Sequence, residues 1–282
     1  MKKLVLFTGI LVLAFSVLLS GCGSSAPQPE PQKEASGTTA QTPAAEELPA
    51  DVKAIKDRGV LKVGVKVDVP KFGYKDAATN QTDGFEIDLA KAIAKKILGE
   101  EKVDLQGVTA KTRGPLLDNG EIDIVAATFT ITEERKKSYN FSDPYFTDGV
   151  ALMVKKSAGY KSLKDLNGKN IGVAQSATSK AALQQEAEKQ GIKLNFLEFG
   201  TYPEIKSALE AGRVDCFSVD GAILFGYLDA STEILPDRFA PQEYGIASKK
   251  SNTGLAKIVN DTINELKSSG ELDNLIKKWE IK

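Results

Sequence analysis

The chain has 282 residues, 27% of them charged and 41% hydrophobic, with a net charge of -1. That balance suits a globular protein of one or two domains and argues against nucleic acid as a partner, because binding phosphates needs a basic surface. Histidine is absent, which removes histidine-based triads and histidine metal sites, and the two cysteines, Cys22 and Cys216, cannot build a disulfide framework. No metal or other cofactor is expected.

Lys2 and Lys3 precede the apolar run Leu4 to Leu19, too short for a comfortable membrane span but suited to a signal peptide over residues 1–21. The run closes with Leu19-Ser20-Gly21-Cys22, which resembles the bacterial lipobox. That resemblance implies cleavage before Cys22 and acylation of its thiol, with Cys216 left as a lone buried thiol. Residues 22–50 are rich in Pro, Gly, Ser, Thr, Ala and Glu and have almost no large apolar side chains, so they read as a disordered tether. A flexible segment of that length reaches roughly 30 Å.

The folded part begins near Asp51. Val60-Leu-Lys-Val-Gly-Val65 reads as a strand ending at Lys66. A turn region with Pro70, Gly73, Asn80 and Gly84 leads into a helix from Gly84 to Ile97. Its apolar stripe is Leu89, Ala90, Ile93, Ala94 and Ile97, and Lys91, Lys95 and Lys96 face water. Val103 to Val108 is strand-like, and Thr112-Arg113-Gly-Pro-Leu-Leu117 opens a helix with Pro115 near its start.

The stretch that organises the rest follows. Ile122 to Ala127 is short, apolar and β-branched, as a buried strand would be. Thr130 and Glu133 stand at capping-box spacing, so a helix is expected here, with Arg135 in it just beyond a strand's carboxyl end. Ligands of open α/β sheets bind at that place, and a guanidinium there offers a forked donor pair to a carboxylate. An ordinary solvated helix face, with Glu133 and Lys137 paired at i,i+4, fits the same spacing.

An internal repeat points the same way. Leu117-Asp-Asn-Gly-Glu-Ile-Asp123 and Leu209-Glu-Ala-Gly-Arg-Val-Asp215 share a pattern of helix end, glycine cap and strand start. Counted onward, the two strands end at Thr128 and Asp220. The lobe openings also match, with Val63-Gly-Val65 ending at Lys66 and Ile171-Gly-Val173 ending at Ala174 and Gln175. Two α/β lobes built alike, each with a parallel-rich sheet flanked by helices, would bring Lys66, Thr128, Gln175 and Asp220 to one cleft. In the second lobe, Gln175-Ser-Ala-Thr-Ser179 joins strand to helix, either to receive an anion on free N–H groups or as a plain helix cap. Thr201-Tyr-Pro-Glu204 is a capping box with proline at the helix start. The apolar stripe from Leu255 through Leu266, then Leu272 to Trp279, reads as helices returning to the first lobe.

The segments Gly84-Phe-Glu-Ile-Asp-Leu-Ala90, Thr128 to Lys137, Phe141-Ser-Asp-Pro-Tyr145, Leu163-Lys-Asp-Leu-Asn-Gly168 and Lys278-Trp279 resemble, in order, solute-binding protein family 3. These are extracellular receptors of polar amino-acid ABC importers. The run Ala110 to Asp118 and the Asp220 region are most similar to its aspartate/glutamate-binding branch, which includes the major cell-binding factor. The resemblance implies a two-lobe, type II periplasmic-binding-protein-like fold that hinges shut on one amino acid. Lobe 1 would be residues 51–149 plus 245–282 and lobe 2 residues 150–244, with crossings near Gly149 to Leu152 and Gln242 to Gly245. By the same carry-over, Arg135 clamps the α-carboxylate with Thr130 and the Thr178 and Ser179 backbone. Asp220 and the Thr128 carbonyl hold the α-ammonium, while Lys66, Arg113, Thr128 and Tyr202 read a side-chain carboxylate. Val69 and Ala110 stand where relatives often carry stacking aromatics, which weakens a bulky ligand.

The resemblance further implies permease and ATPase partners, a monomeric receptor, and a position on the outer face of the cytoplasmic membrane through the lipid on Cys22. If Lys66 and Arg113 are both unpaired in a closed cleft, glutamate or aspartate should bind at least ~100-fold more tightly than glutamine. A periplasmic dehydratase on the same fold would need a general acid or base; Glu86 and Asp88 are available, but they fit a helix start better. An adhesin or sensor role is compatible with the same chain.

Overall fold

Apolar runs bounded by glycine and proline become strands in the computed structural model, which describes residues 48–281. Cys22, the signal peptide and nearly all of the tether lie outside the described residues. Helix α1 (Ala50–Arg58) leads into strand β1 (Leu61–Val65) and a small ribbon of β2 (Asp68–Val69), β3 (Gly73–Lys75) and β4 (Thr82–Asp83). Helix α2 (Phe85–Leu98), β5 (Val103–Gly107), α3 (Arg113–Asp118), β6 (Ile124–Ala126), α4 (Glu133–Ser138) and β7 (Tyr139–Phe141) follow. The second half runs through β8 (Phe146–Lys155), β9 (Asn170–Ala174), α5 (Ser179–Gln190), β10 (Asn195–Phe199) and α6 (Tyr202–Glu210). It continues as β11 (Cys216–Asp220), α7 (Gly221–Phe225), β12 (Thr232–Ile234) and β13 (Phe239–Tyr244), then returns through β14 (Ala247–Lys249), α8 (Thr253–Ser268) and α9 (Glu271–Lys278).

Two sheets result. The first has strand order β5-β1-β6-β14-β7 and the second β10-β9-β11-β8-β12, with β13 paired to β8. Strand β1 is parallel to β5 and β6, and β9 is parallel to β10 and β11, while β8 and β14 run antiparallel to their neighbours. This is the two-lobe α/β architecture expected from the alternation of strands and helices.

The sequence repeat is reproduced in hydrogen bonds. Gly120 and Gly212 sit at φ 74° and 73° after α3 and α6, a left-handed step that glycine makes without penalty. Asp123 N–H then donates to the Lys62 carbonyl at 2.9 Å, and its carboxylate accepts the Lys62 N–H at 2.8 Å. Asp215 does the same with Asn170, at 2.8 Å and 2.9 Å. Each aspartate thereby fixes the register of its strand on the lobe's first strand, pairing Ile124 with Val63 and Cys216 with Ile171. Cys216 is fully buried, and burial pushes its thiol up.

Helix α2 buries Leu89, Ala90, Ile93, Ala94 and Ile97, the expected stripe, and α8 packs on it with Leu255, Val259 and Ile263. The final helices return to the first lobe, where Asp88 accepts bonds from Trp279 Nε1 and Lys278 Nζ, both at 2.7 Å.

Two local expectations are corrected. Thr132, not Thr130, caps α4: its hydroxyl accepts the Arg135 N–H at 3.1 Å from an extended backbone. Thr130 cannot cap because it forms a bridge with Tyr244 and spends its hydroxyl on Gln242. Gly149 to Leu152 are not the first crossing, since they lie inside β8, paired with β11 and β13. The chain leaves the first sheet after Phe141 and enters the second at Phe146, so residues 142–145 make the crossing. There Tyr145 N–H donates to the Tyr244 carbonyl at 2.9 Å, which ties the outgoing strand to the returning one.

Candidate functional site

The strand ends of both lobes meet across one cleft, and the lobes are closed on each other. Lys66, Arg113, Thr128, Thr130, Ser179, Tyr202 and Asp220 are all buried, while Arg135, Gln175 and Thr178 are half-buried. Contacts that cross between lobes include Arg135 Nη2 donating to the Ser176 carbonyl at 3.1 Å, the Tyr227 hydroxyl donating to the Asp68 carbonyl, and Lys66 Nζ 4.6 Å from the Tyr202 ring centroid.

Local backbone geometry puts the first-lobe groups in place. Gly73 passes directly beneath Lys66; a Cβ there would stand 2.4 Å from the Lys66 carbonyl oxygen. Gly84, at φ 152°, presses against Phe72, where a Cβ would come within 2.1 Å of the Phe72 carbonyl oxygen. That approach turns the first residues of α2 inward, and Glu86 becomes fully buried. Thr128 follows β6 at φ 44°, a left-handed conformation that is unusual for a β-branched residue and costs of order 1–3 kcal/mol. It is held there from two sides. Its N–H donates to Glu86 Oε1 at 2.6 Å, and its carbonyl accepts from Arg113 Nη1 at 3.1 Å.

Arg113 also donates to the Ala127 carbonyl at 2.7 Å and lies 4.1 Å from the Phe129 ring centroid. Arg135 stands at the same ring, 4.7 Å away, with Nη1 on the Thr130 carbonyl at 2.7 Å. Burial lowers both guanidinium pKa values, and for Arg135 burial and the neighbouring Arg113 bring it down to about 9. Arg113 and Arg135 thus concentrate positive charge around Phe129, which an anionic ligand group would relieve. Lys66 departs from its expected state: it is not an unpaired cation, because its Nζ meets Asp68 Oδ1 at 2.9 Å. Its pKa is nonetheless lowered, because burial outweighs Asp68.

On the second lobe, Asp220 accepts a bond from the Tyr244 hydroxyl on Oδ2, while Oδ1 has no hydrogen-bond partner. Burial pushes its carboxyl up to about 7; the Tyr244 bond, Arg113 and Arg135 pull down, and Asp148 pushes up. Ser179 opens α5 with a buried hydroxyl that has no partner, and Thr178 does not cap that helix. Thr178 donates instead to Gln242 Oε1 at 2.7 Å, the same oxygen that accepts Thr130 at 2.9 Å. The Gln175 N–H is spent on the Phe199 carbonyl at 2.9 Å and is not a free donor.

Glu86 Oε2, Arg113 Nε, Thr128 Oγ1, Ser179 Oγ and Asp220 Oδ1 are all buried without a hydrogen-bond partner. Buried polar atoms are normally satisfied, so this convergence of unpartnered donors and acceptors makes the cleft the candidate place for a small polar ligand. Two members were missed in the sequence. Glu86 reads as part of a helix start, and Gln242 reads only as a crossing residue. Nothing in their local pattern separates them from surface positions, although glycine directly before Glu86 hints at a close backbone approach.

Comparison with known proteins agrees with this geometry. The chain is 39% identical to the ABC transporter glutamine-binding protein GlnH of Bacillus subtilis, covering 99% of this chain and 97% of that one. It is 31% identical to the L-glutamate/L-aspartate-binding protein of Pseudomonas aeruginosa, over 83% of this chain and 81% of that one. An ancestral arginine-binding protein bound to arginine superposes with a TM-score of 0.71 at 40% identity, covering 79% of this chain and 98% of that one. The family of bacterial extracellular solute-binding proteins, family 3, matches residues 61–282, and the chain belongs to it.

Proposed function

We propose that this chain is the receptor of an amino-acid ABC importer, and that its cleft closes on an acidic amino acid, glutamate or aspartate. The observation that carries the reading is Arg113: a fully buried guanidinium, anchored through Nη1, with Nε left unpartnered beside Lys66. In this reading Arg135 and the start of α5 at Ser179 hold the α-carboxylate, and Asp220 Oδ1 accepts from the α-ammonium. Arg113, Lys66, Thr128 and Tyr202 then meet the side-chain carboxylate, with Thr130, Thr178 and Gln175 bordering the cleft.

Glutamine is the second reading. The name of the 39% identical relative favours it. So does Asp68, which already answers one of the two cations expected to be free. The preference for acid is therefore scaled down from ~100-fold to about tenfold, or about 1.4 kcal/mol. Calorimetry at neutral pH with glutamate, aspartate and glutamine tests this on wild type and Arg113→Met. Glutamate should bind about tenfold more tightly than glutamine in wild type and equally in the variant. Tighter glutamine binding in wild type would move the assignment to the second reading, and no binding of any amino acid would sink the receptor.

Acylation at Cys22 would hold the receptor on the outer face of the membrane, beside its permease; one acyl chain anchors marginally and two hold firmly. Mass spectrometry of the membrane fraction should find a mature N-terminal peptide starting at an acylated Cys22. An unmodified, freely secreted form would refute the anchor.

A further inference from the structure

Glu86 has no part in the reading above, yet it lies at the centre of the charged set. It is fully enclosed, its Oε1 accepts from the Thr128 N–H at 2.6 Å and from the Tyr145 hydroxyl, and its Oε2 has no hydrogen-bond partner. The groups facing it are Tyr145 at the crossing, Arg113 on α3 and Lys66 after β1, and Lys66 carries Asp68 in turn. Lys66, Arg113 and Arg135 supply three cations to the closed cleft; Asp68, Glu86 and Asp220 supply three anions. A glutamine zwitterion leaves that set neutral. Glutamate brings one further negative charge, and an uncompensated charge enclosed away from water is strongly disfavoured.

One proton from solvent removes the excess. Asp68 already has its partner in Lys66, at 2.9 Å. Asp220 is needed ionised for the ligand ammonium. Glu86, held by two neutral donors and with one free oxygen, remains. We propose that Glu86 sets the specificity of the side-chain end of the cleft, carrying a proton when the ligand side chain is a carboxylate and staying ionised when it is a carboxamide. The proposal rests on the amino-acid receptor reading. The only bond formed is between a solvent proton and a Glu86 oxygen. Burial already pushes this carboxyl up to about 7, so both forms are accessible at neutral pH.

Titration calorimetry at pH 8, in buffers of different ionisation enthalpy, counts protons taken up on binding. At that pH both Glu86 and Asp220 start mainly ionised. Glutamate and glutamine share their α-groups, so any contribution from Asp220 cancels between them. Glutamate should take up about one proton more than glutamine, and its affinity should fall about tenfold per pH unit above 8 while that of glutamine does not. In Glu86→Gln the side-chain oxygen still accepts from Thr128 and Tyr145, so the fold has its bonds. There the difference in proton number should vanish, and the glutamate/glutamine affinity ratio at pH 8 should rise about tenfold. Equal proton numbers for the two ligands in wild type overturn the proposal and leave the receptor reading standing. So does glutamine binding with no glutamate binding between pH 5 and 8. If glutamine fails to bind, a proton number near zero for glutamate overturns it. Binding of neither ligand overturns the receptor reading and this proposal together. The wild-type measurement decides even if the variant does not fold.

Discussion

Arg135→Met is expected to lose binding of every amino acid, by ~1000-fold or more, about 4 kcal/mol. The guanidinium is held in three ways: Nη1 on the Thr130 carbonyl at 2.7 Å, Nη2 on the Ser176 carbonyl at 3.1 Å, and the plane against Phe129. One of those bonds reaches the other lobe, so in the proposed reading the residue serves closure as well as recognition. Removing a charged partner from a desolvated site leaves the ligand carboxylate without its counter-ion, which typically costs 2–5 kcal/mol or more. The backbone should tolerate the change, because Thr132 caps α4 with its own hydroxyl and does not use the Arg135 side chain. Calorimetry against glutamate, aspartate and glutamine should give no heat, with the melting temperature of the ligand-free variant close to wild type. Scattering should find no compaction at millimolar ligand. Binding within tenfold of wild type for any of them would rule out this residue as the α-carboxylate clamp.

Asp220→Asn should be nearly as damaging, and it also changes the pH profile. The carboxyl is raised to about 7 by burial, with Tyr244, Arg113 and Arg135 opposing and Asp148 adding to the rise. Tyr202 also feels its charge from α6. Because the folded value lies above the ordinary carboxylate range, the ligand-free protein holds a proton on Asp220 below about pH 7. In the proposed reading the ligand ammonium needs the ionised form. Wild-type affinity should therefore rise about tenfold per unit from pH 5 toward 7 and then level off. With glutamate as the ligand, Glu86 carries its proton in both the free and the bound protein over this range, so the slope belongs to Asp220. The asparagine variant should bind ~1000-fold more weakly at pH 7.5, about 4 kcal/mol, with no slope. A variant that keeps the wild-type slope would show that another group titrates.

Several features were legible without the fold. The repeated helix-glycine-strand pattern predicts two alike lobes because each glycine must take a left-handed step and each aspartate closes a local bond to the next strand. Thr201 and Glu204 form their capping box as spaced, because both partners lie within one turn. The charged candidates at strand ends converge because parallel strands of both lobes present their carboxyl ends to one cleft. Less legible was the helix start at Arg135, where Thr130 and Thr132 compete. Tyr244, more than a hundred residues away, draws Thr130 into a bridge and leaves Thr132 as the cap.

What the chain determines by itself is what depends on neighbours in sequence: strand and helix positions, the repeat, the strand-end placement of Lys66, Thr128 and Asp220, and hence family and fold. Charge state is decided elsewhere. Whether Lys66 is free or paired depends on the ribbon that brings Asp68 back to it, and whether Glu86 is a surface acid or a buried one depends on Gly84 pressing against Phe72. Gln242 joins Thr130 to Thr178 only because the returning strand passes between the lobes. Desolvation and pairing are properties of the space around a group, and that space is built from residues distant in the chain. The amino-acid sequence therefore identifies Lys66, Arg113, Arg135 and Asp220 as groups that meet in the cleft, whereas the arrival of Glu86 and Asp68 among them, and the protonation of the set, are decided by tertiary packing.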